Sequence, residues 1–222
     1  MYFLRARTRE QIEKRQLEIL QACEKLFIAG GYENVNIKAI SEMTTIGRSS
    51  IYTYYKTKEE MLLDLLRMEL AGWEEELFAW RELSAEMAGG AANRAAVRAF
   101  CEQFADILME HEKMLRYFCL LYTLLEKNCR LEKLVEFKRE AVPVIGRIAE
   151  RLSGRFPMLS PDAADEVIHQ FIGFVLGMYP VSHLTPKQAR AIELSRTGYA
   201  PLDFRDAVVG GMEAFLLRQI GK

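Results

Sequence analysis

The segment 35–58, VNIKAISEMTTIGRSSIYTYYKTK, constrains the fold of this chain more than any other. Asn36 is a good N-cap, because its side-chain oxygen can accept a hydrogen bond from a backbone N–H one turn ahead. Residues 43–45 interrupt the helix that Asn36 begins, and Gly47 can cap a second helix starting at Arg48. The sequence therefore predicts two short helices joined by a tight turn.

The second of these helices has two distinct faces. Ile51 and Tyr55 are four residues apart and lie on one face, which we expect to be buried. The opposite face carries hydroxyl groups and a cation, on Ser49, Tyr52, Thr53 and Lys56. A short helix with one apolar edge and hydrogen-bonding groups outside is suited to the major groove of DNA, so the pattern predicts a helix-turn-helix. The alternative is a pair of structural helices that binds nothing.

The distribution of charge favours DNA binding. The net charge is −1 at pH 7, but residues 1–58 contain ten Lys or Arg against six Asp or Glu, whereas residues 59–222 are net acidic. A basic module at one end of the chain would attract phosphates. The first residues are either a solvated helix start or an arm that meets DNA, and their cations are Arg5, Arg7, Arg9, Lys14 and Arg15.

Several spaced motifs within residues 16–66 carry a resemblance to a known family. They are Leu26-Phe27, Gly31-Tyr32, Ile37-x-x-Ile40, the run from Ile46 to Tyr55, and Lys58-Glu59-Glu60-Met61-Leu62. This set resembles the N-terminal domain of TetR-type transcriptional regulators. Two positions depart from the family pattern. Thr45 occupies the position at which the family has a turn glycine, and Gly47 occupies that of a capping Ser. A β-branched residue disfavours a left-handed turn, so we expect a different turn shape.

The helix faces and the resemblance together predict the DNA-binding residues. Lys58 stands where the family touches phosphate, at the start of the next helix. The full predicted set is Asn36, Arg48, Ser49, Ser50, Tyr52, Thr53, Tyr54, Lys56 and Lys58.

The remaining sequence predicts further helices and no strands, hence an all-α protein. Thr57 and Glu60 have capping-box spacing and open a long helix that ends near residue 83, before a loop over 84–93. We predict a helix-turn-helix DNA-binding domain over 1–58 and a helical ligand-binding and dimerisation domain over 59–222. The later helices are expected over 95–110, 112–127, 129–152, 161–179 and 204–220.

Aromatic side chains in the second half are either core or the lining of a cavity between helices. The resemblance implies such a ligand pocket. Its candidate residues are Tyr117, Phe118, Tyr122, His169, Gln170 and Phe174. We expect neither a cofactor nor a metal ion: Asp165 lies one helical turn before His169, but two ligands are too few for a site.

A homodimer is expected, because one short recognition helix contacts too few base pairs to discriminate against a genome. In the family, the last two long helices of each subunit form the interface. Glycines inside these helices suggest close approach, since each costs about 0.8–1.0 kcal/mol relative to Ala. The candidate interface residues are Phe171, Gly173, Gly177, Val208, Gly211, Met212 and Phe215.

These observations predict a regulator rather than an enzyme, since no nucleophile elbow, phosphate-binding glycine loop or H-E-x-x-H motif occurs. The expected partners are double-stranded operator DNA and a small apolar or aromatic effector, with repression as the expected outcome. Residues 117–125 are too short to span a bilayer, so a cytoplasmic protein without membrane association is expected. The alternative is a helical protein that binds lipids or acyl groups and uses its first domain only as an interaction module.

Overall fold

A computed structural model describes residues 8–79 and 94–221 of the chain. The described residues form helices and no strands, which confirms the all-α prediction. The predicted loop over 84–93 and the cations Arg5 and Arg7 lie outside the described residues. The α-helices are α1 (Arg9–Gly30), α2 (Ile37–Glu42), α3 (Arg48–Tyr54), α4 (Lys58–Ala79), α5 (Arg94–Glu110), α6 (Glu112–Phe118), α7 (Glu126–Asn128), α8 (Leu131–Arg155), α9 (Pro161–Ser182), α10 (Pro186–Ser195) and α11 (Phe204–Ile220).

The chain divides into two compact units. The first contains residues 8–68 and 120–138, and the second contains the described parts of 69–119 and 139–222. Helices α4 and α8 each begin in the first unit and end in the second. The division into domains 1–58 and 59–222 stays a prediction, because a compact unit need not be an independently folding domain.

In the first unit, α1 packs beside α2, and α2 packs beside α3. The Thr8 side chain caps α1 by accepting a hydrogen bond from the Gln11 N–H. The helix ends where Gly31 adopts φ 72°, a left-handed conformation that glycine reaches without a steric penalty. The buried Ile19, Cys23 and Phe27 repeat at helical spacing, so the inner face of α1 forms the core of this unit.

In the second unit, α11 packs against both α5 and α9. Edge-to-face aromatic pairs join α5 to α9 and to Phe156, the residue that follows α8. Phe104 meets Phe171 with ring centroids 5.3 Å apart, and Phe100 meets Phe156 at 5.1 Å. Such pairs stabilise a core beyond the area they bury.

The predicted helix over 112–127 is divided in the structure. It consists of α6, a π-helical turn at Leu121–Leu125 and the short α7. Helix α8 continues through Pro143, and α9 extends past its predicted end at residue 179 to Ser182. No single described helix is long and apolar enough to cross a membrane. Helices α9 and α10 together have the required length and composition, but they are bent by 67° relative to each other.

Candidate nucleic-acid interface and ligand cavity

Helix α3 has the orientation that its sequence predicts. Ile51 and Tyr55, the residue that follows the last turn, are buried in the first unit. Tyr52 is 47% exposed on the opposite side. The exposed residues at this surface also include Arg48, Ser49, Thr53 and Lys56, whereas Ser50 and Tyr54 are half-buried. Helix α3 thus presents its polar face to solvent.

A hydrogen bond from Tyr55 fixes the buried side of α3 at its C-terminal end. The Tyr55 hydroxyl donates to Asp64 Oδ2 at 2.9 Å, and Lys133 Nζ lies 2.8 Å from Asp64 Oδ1. Burial, together with the negative charge of Asp64, raises the pKa of Tyr55 well above its usual value, so the phenol stays a donor. The last turn of α3 is therefore held by a buried polar contact as well as by apolar packing.

The turn between α2 and α3 is held by side chains instead of a left-handed residue. The only described non-glycine residue with positive φ is Arg196, which belongs to the second unit. The Thr44 hydroxyl donates to the Ile40 carbonyl at 3.0 Å. Glu18 on α1 accepts hydrogen bonds from the Thr45 N–H and, at 3.1 Å, from the Thr45 hydroxyl. The sequence had no signal for Glu18, because its partner lies 27 residues away.

Several of the predicted DNA-binding residues are engaged within the chain, among them Asn36 and Lys58. Asn36 caps α2, as predicted, since its side chain accepts from the Ala39 N–H at 2.9 Å. Lys58 Nζ donates to the Tyr32 carbonyl at 2.9 Å and lies 3.6 Å from the Tyr32 ring centroid. An ammonium has three donors, so the phosphate contact of Lys58 stays a prediction.

Glu60 organises the junction between α3 and α4. Its carboxylate accepts from the Lys56 N–H at 2.8 Å and from Arg130 Nε at 2.6 Å and Nη2 at 3.1 Å. The Thr57 hydroxyl accepts from the Glu60 N–H at 3.4 Å, so only half of the predicted capping box forms. Arg130 immediately precedes α8, and the ion pair therefore attaches segment 120–138 to the helix-turn-helix within the first unit.

The second unit contains a cavity of about 360 Å³ between α4, α5, α8, α9 and α11. Its volume is within the usual range for small-molecule sites. Most of the lining residues are apolar, and two are arginines. The described lining residues are Leu77, Phe78, Phe100, Phe104, Ile148, Arg151, Leu152, Gly154, Arg155, Ile168 and Met212.

None of the six residues predicted to line a ligand pocket lines this cavity, and their role in ligand binding stays a prediction. Tyr117 is fully buried and Phe118 half-buried on α6. Tyr122 is 48% exposed and belongs to the first unit, where Lys138 Nζ lies 5.4 Å from its ring centroid. Tyr122 lies in the π-helical turn that follows α6, and the predicted continuous periodicity fails there.

The other three predicted lining residues lie on α9 outside the cavity. The exposed His169 contacts Asp165 on its own helix, with Nδ1 3.3 Å from Oδ2, and Gln170 donates to Glu166 at 2.7 Å. Phe174 packs edge-to-face on Phe215 of α11, with centroids 5.9 Å apart. Among the described residues, no group of three or more His, Cys, Asp or Glu could hold a metal ion.

The residues predicted at the dimer interface differ in how far they are buried within the single chain. Phe171, Val208 and Met212 are buried inside the single chain and are not available to a second copy. Gly211 serves packing within the subunit, because a Cβ there would lie 2.6 Å from Cε1 of Phe174. The half-buried Phe215 packs on Phe174, and its place at an interface stays a prediction.

Gly173 and Gly177 differ from the buried residues among those predicted at the dimer interface. Both are exposed on α9, and a Cβ at either would meet no described atom within 4 Å. Gly210 on α11 has the same property. Packing within the described subunit therefore does not explain these three glycines, and their role at an interface stays a prediction.

The sequence matches two family models. Residues 19–65 match the model described as bacterial regulatory proteins, tetR family. Residues 69–217 match the model described as tetracyclin repressor-like, C-terminal domain. Together these matches cover the helix-turn-helix and the helices that surround the cavity.

Individual proteins show the same similarity. The chain is 33% identical over 63 residues to the HTH-type transcriptional regulator YfiR of Bacillus subtilis. It is 30% identical over 59 residues to the HTH-type transcriptional regulator QacR of Staphylococcus aureus. Each alignment covers under a third of this chain (28% and 27%) and 31% of the relative.

A solved structure shows the similarity of the fold. A TetR-family regulator from Mesorhizobium loti has a TM-score of 0.54 at 13% identity, covering 96% of this chain and 98% of that one. This likeness concerns the fold alone, whereas the family models match the sequence itself over most of the chain. The chain therefore belongs to the TetR family of bacterial transcriptional regulators, which are DNA-binding proteins and not enzymes.

Proposed function

We propose that this regulator binds a palindromic operator as a homodimer and represses transcription until a small effector releases it. The observation that carries operator binding is the two-faced α3, with Ile51 and Tyr55 buried and the hydroxyls of Ser49 and Tyr52 toward solvent. A recognition helix needs this arrangement, because its anchor fixes the angle at which the outer side chains meet base edges. These side chains specify sequence, whereas cations around them hold phosphates.

The proposal of a dimer is supported by the exposed glycines of the last long helices. Gly173, Gly177 and Gly210 leave open space at the surface of α9 and α11. Small residues allow two helices to approach closely, so a second copy of the same helices would use this space. Two recognition helices about 34–36 Å apart would then read two half-sites one helical turn apart.

Effector release is supported by the cavity and by the helix beside it. Leu77 and Phe78 on the last turn of α4 line the cavity, and α4 runs without interruption from Lys58. A ligand that displaces this end of α4 would move the whole helix and so the junction with α3. Because both half-sites of a palindrome must match at once, a modest displacement would weaken both.

Selection from a random duplex pool tests operator binding. The protein is mixed with the pool, the retained fragments are sequenced, and the copies bound per fragment are counted by sedimentation. We expect an inverted repeat with half-site centres about 10–10.5 base pairs apart, or a multiple of that spacing, bound by an even number of copies. A single non-repeated site bound by one copy would contradict the dimer, and no enrichment would contradict operator reading. The alternative, a lipid-binding protein without DNA contact, predicts no retained fragments.

A further inference from the structure

The cavity of the second unit combines an apolar body with one positively charged region. Nine of its eleven described lining residues are apolar or glycine, and the other two are Arg151 and Arg155 on the last turns of α8. The two arginines are four residues apart, so they share one side of the helix. No acidic residue is among the described lining residues. Among the described lining residues, charge is therefore confined to these two arginines.

Arg155 is the deeper of the two cations. Its Nε and Nη2 atoms are buried from solvent, whereas Arg151 is exposed. Burial, and then the positive charge of Arg151, lower the pKa of the Arg155 guanidinium. Both effects oppose a charged guanidinium here, whereas a carboxylate beside the two arginines would favour the charged form.

Arg151 connects the charged region to α4. Its Nη2 donates to the Phe78 carbonyl at 2.8 Å, and its guanidinium lies 4.6 Å from the Phe78 ring centroid. A guanidinium has five N–H donors in a planar fork that matches a carboxylate. Arg151 can therefore bind an anion either beside its contact with Phe78 or in place of it.

We propose that the cavity binds an amphiphile with one carboxylate group, whose apolar body lies among the phenylalanines while Arg155 and Arg151 bind the carboxylate. This assignment rests on the proposed function, in which the cavity is the effector site. A medium-chain fatty acid or an aromatic carboxylic acid has the required chemistry. A sugar does not, because its many hydroxyls would lose their hydrogen bonds to water against Phe100 and Phe104.

Calorimetry on the DNA-free protein with decanoate and decanol tests the charge requirement. The two probes share one chain length and differ only at the polar end. We expect decanoate to bind about 10- to 150-fold more tightly, the range for a hydrogen bond to a charged group. Octanoate should bind more weakly than decanoate by roughly 15-fold, since each buried methylene contributes about fourfold. Equal affinities for decanoate and decanol would overturn the proposal.

Variants then locate the charged region. Arg155→Met and Arg151→Met keep an apolar stem and remove the charge, and each should reduce the preference for decanoate over decanol at least about 10-fold. Arg139→Met is the matched control, because Arg139 is exposed on the same helix and does not line the cavity. If Arg155→Met fails to fold, the neutral Arg155→Gln and Arg151→Met decide the question. Preserved selectivity in the folded variants would overturn the assignment.

The same measurements separate this inference from the regulatory proposal. Arginine-dependent binding of decanoate that leaves operator affinity unchanged would support the ligand class and contradict effector release by this ligand class. Release of operator by an uncharged analogue that binds equally well to Arg155→Met would support effector release and overturn the ligand class.

Discussion

Removing the ion pair between Glu60 and Arg130 should have unequal effects on stability at its two ends. The Glu60 side chain is 0% exposed, whereas that of Arg130 is 46% exposed. Arg130→Met leaves a buried carboxylate without its principal donor, which costs about 3–5 kcal/mol in comparable pairs. Glu60→Gln keeps the volume and one acceptor and frees an arginine that can return to water. It should therefore cost less, about 1.5–3 kcal/mol.

The pair also contributes a coupling energy that a double-mutant cycle measures. Urea unfolding followed by far-UV circular dichroism gives the free energy of unfolding for the wild type, both single variants and the double variant. We expect a coupling of about 1.5–3 kcal/mol, because each single change removes the same hydrogen bonds. Additivity within about 0.5 kcal/mol, or a larger loss for Glu60→Gln than for Arg130→Met, would refute the reasoning.

The pH dependence of stability provides an independent reading of this pair. Burial alone would raise the pKa of Glu60, but the hydrogen bonds from Arg130 and from the Lys56 N–H lower it below its usual range. A lowered folded-state pKa stabilises the protein above the unfolded pKa of about 4.3, and this contribution is lost as pH falls through the lower folded value. Relative to the wild type, Glu60→Gln should lose less stability between about pH 5 and pH 3. Parallel curves for the two proteins would contradict the assigned pKa direction.

Two further predictions concern the interface and the turn. Gly177→Leu should yield folded monomers by sedimentation, whereas Gly211→Leu should lower the free energy of unfolding by about 1–3 kcal/mol, because its Cβ would lie 2.6 Å from Phe174. A stable dimer for Gly177→Leu, or an unchanged stability for Gly211→Leu, would contradict the distinction. Glu18→Ala should weaken operator binding about 2- to 12-fold by fluorescence anisotropy, since Thr45 loses both hydrogen bonds. Glu13→Ala is the matched control on α1, and an equal effect of both variants would contradict the role of Glu18.

Local periodicity predicted the parts of the fold that depend on neighbouring residues. The faces of α3 follow from the four-residue spacing of Ile51 and Tyr55, and the cap at Asn36 is formed with a residue three positions ahead. Contacts between distant segments could not be predicted in this way. Glu60 and Arg130 are 70 residues apart, and no helical spacing connects them.

The cavity could not be predicted because helical spacing identifies a buried face without identifying its neighbour. Tyr117 and Phe174 were expected at a pocket, yet Tyr117 is buried outside this cavity and Phe174 packs on Phe215. The unpredicted Phe100 and Phe104 line the cavity instead. The glycines show the same difficulty. Gly177 and Gly211 look alike in sequence, and only the position of Phe174 distinguishes them.

The central claim is that the outer face of α3 reads bases while Lys58 contributes only to phosphate binding. It is tested most directly by measuring affinity for the selected operator and for a scrambled duplex over a range of salt concentrations. Ser49→Ala and Tyr52→Phe should change the affinity ratio between the two duplexes and leave the salt slope unaltered. Lys58→Ala should weaken both duplexes alike and flatten the slope of log K against log salt by about one unit. The opposite pattern, with the slope altered by the α3 variants and the ratio altered by Lys58→Ala, would contradict the account.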